Sequence, residues 1–241
     1  SVTATTQSLA NDGGLNEFAG NDVLSQGFGT SSTDIGAYGG ADAVYTIGDT
    51  STGNRVLFVH PTFVATPAGA PADLRGCFGY PYIKINDAVN VAEPNGSIFV
   101  RSGSYGDAIN EPNVQTLKIY GFDGNANVFW NPVGSKGVFK TNPVDYQFKQ
   151  IKFLTSNAGG LWFDFVTQTQ AARIVVEECI FTGMTATSPL AFNPNFKNTY
   201  AVELTVQRCL FQSNVMDSTA ALKVRQHTTL ASGAFKVNLF D

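Results

Sequence analysis

Ile174–Phe181 reads IVVEECIF and Leu204–Phe211 reads LTVQRCLF. Tyr146–Phe153, YQFKQIKF, has the same form, and Thr116–Phe122, TLKIYGF, follows it more loosely. Aligning Phe153, Phe181 and Phe211 gives intervals of 28 and 30 residues. The same alignment superposes Phe148, Val176 and Val206, and also Ile151, Cys179 and Cys209. Self-similarity at a period near thirty, written in strand-forming residues, predicts a solenoid in which each repeat buries its apolar face against its neighbours.

Within each cassette two apolar residues alternate inward at period two. Gln150, Glu178 or Arg208 then breaks the alternation, and an apolar residue and a Phe point inward again. The break predicts a corner. A chain that turns there, runs briefly and turns again returns one rung higher, about 4.8 Å along the axis, the spacing of neighbouring strands. The expected core is a set of columns, with Phe153, Phe181 and Phe211 in one and Ile151, Cys179 and Cys209 in another.

The composition agrees with such an object. Apolar residues make up 43% of the 241, enough for a substantial core, whereas charged residues make up only 14%, against about 25% in an average soluble domain. The net charge of −4 supplies no basic footprint, which argues against nucleic acid as a partner. Three cysteines, Cys77, Cys179 and Cys209, are too few and too scattered for a disulfide framework or a zinc site and read as buried thiols. No apolar run is long enough for a membrane span, and the first thirty residues lack the basic start and apolar run of a secretion signal. A soluble product without membrane insertion is the expectation.

Three regions follow from the walk along the chain. Residues 1–54 mix Gly, Ser, Thr, Asn and Asp without a sustained period and read as an irregular Gly/Ser-rich arm, a candidate attachment segment, with one short strand at Ala43–Ile47. Residues 55–96 hold a linking strand at Arg55–Val59, a turn-rich Pro/Gly/Ala link, and a segment in which Ile83, Ala88, Val89 and Ala92 recur at helical spacing before Pro94, Asn95 and Gly96 stop it. Residues 97–241 alternate short strands and turns throughout.

From about Arg75 to Phe240 the chain resembles the right-handed parallel β-helix of the pectin-lyase-like superfamily. The matching residues are the stretch PYIKINDAVNVAEPNGSIFVRSGSY, similar to the capping helix, Gly turn, strand and Gly-x-Tyr that open many such helices, and the three Phe-ended rungs. STDIGAYGG at residues 32–40 also resembles a phrase of uncharacterised β-helix proteins, where it usually lies near the other end of the chain. The resemblance implies an all-β, single-stranded parallel β-helix with a short N-terminal capping helix. Function is left open by it, because the superfamily holds polysaccharide lyases, hydrolases and esterases, bacterial surface proteins, and tail spikes and other virion proteins of bacteriophages.

The candidate chemistry is sparse. A calcium-dependent lyase needs several carboxylates on one outer face with an Arg or Lys as base, but the outward position between the paired inward residues is Lys149, then Glu177, then Gln207. Asp164, Glu177, Glu178 and Asp217 could converge through loops. Asp123 with Asp145, or Asp164 with Glu177, could supply the two carboxylates a glycosidase needs. His60 and His227 have no neighbouring nucleophile pattern, and the sequon at Asn95 sits in a turn. No catalytic residue, metal or cofactor is assigned. Trp130 and Trp162 follow short strands where exposure would let them stack on a sugar ring; with Asp164 they are the glycan-binding candidates. Ile180, Leu210 and Val175 occupy outward positions and form an apolar stripe that a loop of residues 182–199 or a second subunit should cover.

A β-helix needs its ends covered. The helical segment serves one end, while AFKVNLFD at the other is apolar without an evident cap. The expected function is therefore a non-enzymatic structural or attachment component of a virus particle, a bacteriophage virion or tail protein. Its partners would be other virion subunits or copies of itself in a homo-oligomer, with a cell-surface polysaccharide as candidate ligand. The alternatives are a polysaccharide lyase or glycosidase, and a secreted or cell-surface bacterial adhesin.

Overall fold

Period-two alternation does form strands here, and the interruptions do form corners. The structure, a computed structural model, describes residues 56–62, 75–76, 81–132, 136–154, 159–165, 169–185, 189–194, 200–215, 220–224 and 235–240. The expected arm over 1–54, with its strand at Ala43–Ile47 and the phrase at 32–40, lies outside these residues, as do Cys77, Asp217 and His227.

Among the described residues the chain runs along β1 (Val56–Val59), through one short helix, α1 (Ile85–Val91), and then winds through five three-strand coils. These are β2 (Ser97–Val100), β3 (Gly103–Tyr105) and β4 (Ile109–Asn110); β5 (Thr116–Gly121), β6 (Val128–Trp130) and β7 (Val138–Thr141); β8 (Asp145–Lys149), β9 (Lys152–Leu154) and β10 (Leu161–Phe165); β11 (Ala172–Glu177), β12 (Ile180–Thr182) and β13 (Leu190–Pro194); and β14 (Val202–Gln207), β15 (Leu210–Gln212) and β16 (Leu222–Val224). The last strand is β17 (Phe235–Phe240). Strands stack only on their counterparts one coil away, always parallel, giving a seven-stranded sheet β1-β2-β5-β8-β11-β14-β17 and two five-stranded sheets, β4-β7-β10-β13-β16 and β3-β6-β9-β12-β15. This is the parallel β-solenoid that the repeat demands.

The corners are made by residues with left-handed backbone. Gln150, Glu178 and Arg208, one per coil between the long strand and the short one, have φ of 57°, 53° and 50°. A side chain costs roughly 1–2 kcal/mol in that conformation, so the bend is held by the coil around it. The preceding coil has Gly121 in this register, and a Cβ there would overlap the Gln150 carbonyl.

Inside, the expected columns are present. Phe153, Phe181 and Phe211 pair in register on β9, β12 and β15, and each adjacent pair of rings is 4.9 Å apart. On the seven-stranded sheet the inward ladder runs Leu57, Ile98, Ile119, Phe148, Val176, Val206 and Leu239. Ile151 and Cys179 are fully buried and Cys209 half-buried. Gly160 lies against the ring column: a Cβ on it would stand 2.9 Å from the Pro189 carbonyl oxygen and 3.1 Å from the Phe181 ring.

Helix α1 packs on β1, β2 and β4 through Ile85, Ala88 and Val89, all part of the core, and so closes the first coil. Its N-cap residue Lys84 makes no side-chain cap bond; instead the Asn86 N–H donates to Asp107 Oδ2 at 2.6 Å, a cap supplied by the first coil. The helix is shorter than the spacing of Ile83–Ala92 suggested, because Ile83 lies outside it and is exposed. Asn95, at φ 68°, turns the chain into β2. The expected Gly-x-Tyr is Gly103-Ser104-Tyr105, and the buried Tyr105 hydroxyl donates to the Arg101 carbonyl at 2.7 Å, tying that turn to the core.

Candidate functional site

Parallel stacking places outward residues of successive coils in ladders, so the surface chemistry follows from the same register as the core. The ladder Asp145, Arg173, Glu203 and Lys236 alternates in sign, with Arg173 to Asp145 at 3.8 Å and Lys236 to Glu203 at 3.1 Å. Beside it Lys149 faces Glu177 at 3.4 Å, and Arg208 joins both Glu177 and Glu178, the latter at 3.0 Å. Burial pulls the Glu178 carboxyl up, but hydrogen bonds from Arg208 and Gln150, with the charges of Lys149 and Arg208, together outweigh it and hold the group below the usual carboxylate range. These carboxylates are held as ion-pair partners along the solenoid.

The pairs considered from sequence are not brought together. Asp164 is on β10 and Glu177 on β11, in different sheets. Asp123 accepts from the Ser102 N–H at 2.6 Å, while Asp145 is in the alternating ladder. The outward order Lys149, Glu177, Gln207 is as expected.

Trp162 and Asp164 both face outward on β10, and their surroundings form a coherent site. Phe139 on β7 is the register partner of Trp162, and Thr141 that of Asp164. Lys136 Nζ lies 4.8 Å from the centre of the Trp162 ring and Lys223 Nζ 5.8 Å, both at cation–π range. Lys136 also lies 5.3 Å from the Phe139 ring. Burial, and then the charge of Glu111, push the Asp164 carboxyl above its usual range against the pull of Lys136. Glu111 itself accepts from the Thr141 N–H at 3.1 Å and hydroxyl at 3.0 Å and lies 3.6 Å from the ammonium of Lys140, whose side chain is buried and donates to the Pro112 carbonyl. An aromatic platform, two ammonium groups and two carboxylates thus share one flank.

Trp130 does not belong to any surface site, which corrects the expectation of exposure. It is fully buried, its ring stacks on Phe153 at 5.4 Å, and its Nε1–H donates to the Asp107 carbonyl at 2.7 Å. It continues the Phe column into the second coil.

The apolar stripe is also redrawn. Lys152, Ile180 and Leu210 are register partners on β9, β12 and β15, with Ile180 half-buried and Leu210 48% exposed. Val175 is not part of it: it lies around the corner on the seven-stranded sheet and is only 9% exposed. There it borders a cavity whose wall contains Phe99, Tyr120 and Phe122, a group that the sequence reading did not single out. On β17, which pairs with β14, Val237 and Leu239 are 37% and 61% exposed.

Compared with protein-family models, with curated proteins and with solved structures, the chain matches none.

Proposed function

We propose that this chain is a structural and attachment component of a virus particle, a bacteriophage virion or tail protein of the pectin-lyase-like kind, that displays a rigid β-solenoid and contacts a cell-surface polysaccharide with one flank. The observation that carries this reading is the Trp162 site. An outward Trp beside Phe139, with Lys136 and Lys223 as donors and Asp164 as acceptor, offers the apolar face and the polar rim that a sugar ring requires. A parallel sheet packed on a filled core fixes the backbone positions of Trp162, Phe139 and Asp164, which lowers the ordering cost of binding. The exposed Leu210 on β15, beside the half-buried Ile180, is assigned to contacts with other particle subunits or with further copies of the chain in a homo-oligomer.

The test is retention on a panel of immobilised bacterial surface polysaccharides. At least one should hold the protein, and Trp162→Ala and Lys223→Ala should each release it with unchanged melting. Retention by none, or undiminished retention of both variants, contradicts the reading. Capsid or tail genes beside the coding gene would support the particle assignment, and an export signal encoded upstream would favour an adhesin instead.

One observation favours a second reading, a glycosidase or polysaccharide lyase. Burial and the charge of Glu111 raise the Asp164 carboxyl above its usual range next to an aromatic platform, and a carboxyl kept protonated in this way is what a general acid needs. Release of new chain ends from a retained polysaccharide, abolished by Asp164→Asn, would establish it; intact polysaccharide after prolonged incubation would dismiss it.

A further inference from the structure

The outer face of the seven-stranded sheet carries a cavity of about 400 Å³, within the range of small-molecule sites. Its position follows from one outward ladder, in which Phe99, Tyr120, Lys149 and Glu177 succeed one another on β2, β5, β8 and β11. Phe99 and Tyr120 lie 5.6 Å apart, and Phe122, just past the corner at Gly121, stands edge-on to Phe99 at 6.0 Å. Three rings therefore wall one side. Phe122 is half-exposed and also meets the Phe58 ring edge-on at 5.9 Å.

The opposite side is polar and pre-set. The Tyr120 hydroxyl donates to Gln147 Oε1 at 3.1 Å, and Lys149 is 3.4 Å from Glu177, which Arg208 also holds. Charge decides the ligand class. Lys149 and Arg208 balance Glu177 and Glu178, so an anionic or cationic ligand would gain no net attraction and would have to break an existing pair. A wholly apolar ligand would strip water from Gln147 and the Lys149–Glu177 pair and offer their remaining donors and acceptors no hydrogen bond in return. What suits both sides is a neutral molecule with a C–H face for the rings and hydroxyls for the amide, ammonium and carboxylate.

We propose that this cavity binds one ring of a neutral saccharide, with Phe99, Tyr120 and Phe122 against its C–H face and Gln147, Lys149 and Glu177 on its hydroxyls. The site is separate from Trp162, which lies in another sheet, and it does not depend on the function proposed for that flank.

Saturation-transfer NMR on the whole chain tests it, with the methyl glycosides of glucose, galactose and mannose and with methyl glucuronide as probes at millimolar concentration. At least one neutral glycoside should receive saturation, strongest on the C–H protons of one ring face. In chains that already carry Trp162→Ala, so that the other flank contributes no signal, Phe122→Ala and Gln147→Leu, both at the surface, should each weaken that binding about tenfold. Saturation of none of the neutral probes, of the glucuronide alone, or a neutral signal that survives both cavity variants, would overturn the proposal. A neutral signal abolished by Trp162→Ala alone would place saccharide binding at the other flank and equally overturn it.

Discussion

The rings of Phe153 and Phe181 lie 4.9 Å apart at their centres with planes 6° from parallel, although 28 residues separate them in the chain. That separation is one coil, and the ring spacing is about one strand width. Phe181 repeats the relation with Phe211 at 4.9 Å and 7°. Strand register brings these rings together, and it carries the column on from Phe153 to Trp130 across a shorter coil of 23 residues.

The corners yield the first prediction. Gln150 has φ 57°, where a β-branched residue is strongly disfavoured and glycine is at ease. Gln150→Val should lower stability by about 1–2 kcal/mol, whereas Gln150→Gly should change it by far less, the lost bond from Gln150 Nε2 to Glu178 offsetting the relief of strain. Denaturant unfolding of the two variants checks the ranking; equal losses would mean that the corner is not left-handed.

The corner ion pairs yield a pH dependence. Because the folded Glu178 carboxyl titrates below its unfolded value of about 4.3, its contribution is complete above that value and disappears as pH falls through the folded pKa. The stability advantage of the wild-type chain over Glu178→Gln should therefore be present at neutral pH and shrink to nothing in acid. Paired denaturation curves over that range measure it, and an advantage that grows on acidification would contradict the assigned partners, Arg208 and Gln150.

The two stacked thiols should differ in reactivity. A hydrogen bond with Cys179 holds the half-buried Cys209 thiol below its usual range despite burial, while full burial pushes Cys179 well above it. Iodoacetamide should alkylate Cys209 in the folded chain as pH rises from neutral to alkaline, and Cys179 only after unfolding. Peptide mapping by mass spectrometry reads this directly. Equal labelling of the two in the folded protein would show that Cys179 does not face the interior.

The solenoid was legible in the sequence because three coils have almost equal length. Phe153, Phe181 and Phe211 could be aligned, and the polar residue that breaks each alternation, Gln150, Glu178 or Arg208, marked the corner that φ now shows. Trp130 was misplaced because its coil is shorter: 23 residues separate it from Phe153, and Trp stands where the later coils have Phe. The alternation Val128-Phe129-Trp130 held the signal, since a buried Val128 sends Trp130 inward as well. The ring wall of Phe99, Tyr120 and Phe122 was missed for a related reason. Phe99 and Tyr120 are 21 residues apart, off the thirty-residue period, and only the strand register shows that they share an outward ladder. Trp162 and Asp164 were named from sequence as glycan-binding candidates, but Lys136, Phe139 and Lys223 come from neighbouring coils and join them only through the fold.

A double-mutant cycle on the ring column tests the central claim most directly. Phe181→Ala alone should cost about 3–5 kcal/mol, as expected for a large ring deleted from a packed interior. Phe153→Leu and Phe181→Leu, made singly and together, should show a coupling of about 0.5–1.5 kcal/mol, the value of a stacked aromatic pair beyond its burial. Costs that add to within about 0.3 kcal/mol, or a Phe181→Ala variant that melts like the wild type, would mean that the two rings do not meet and that the chain is not wound as a solenoid.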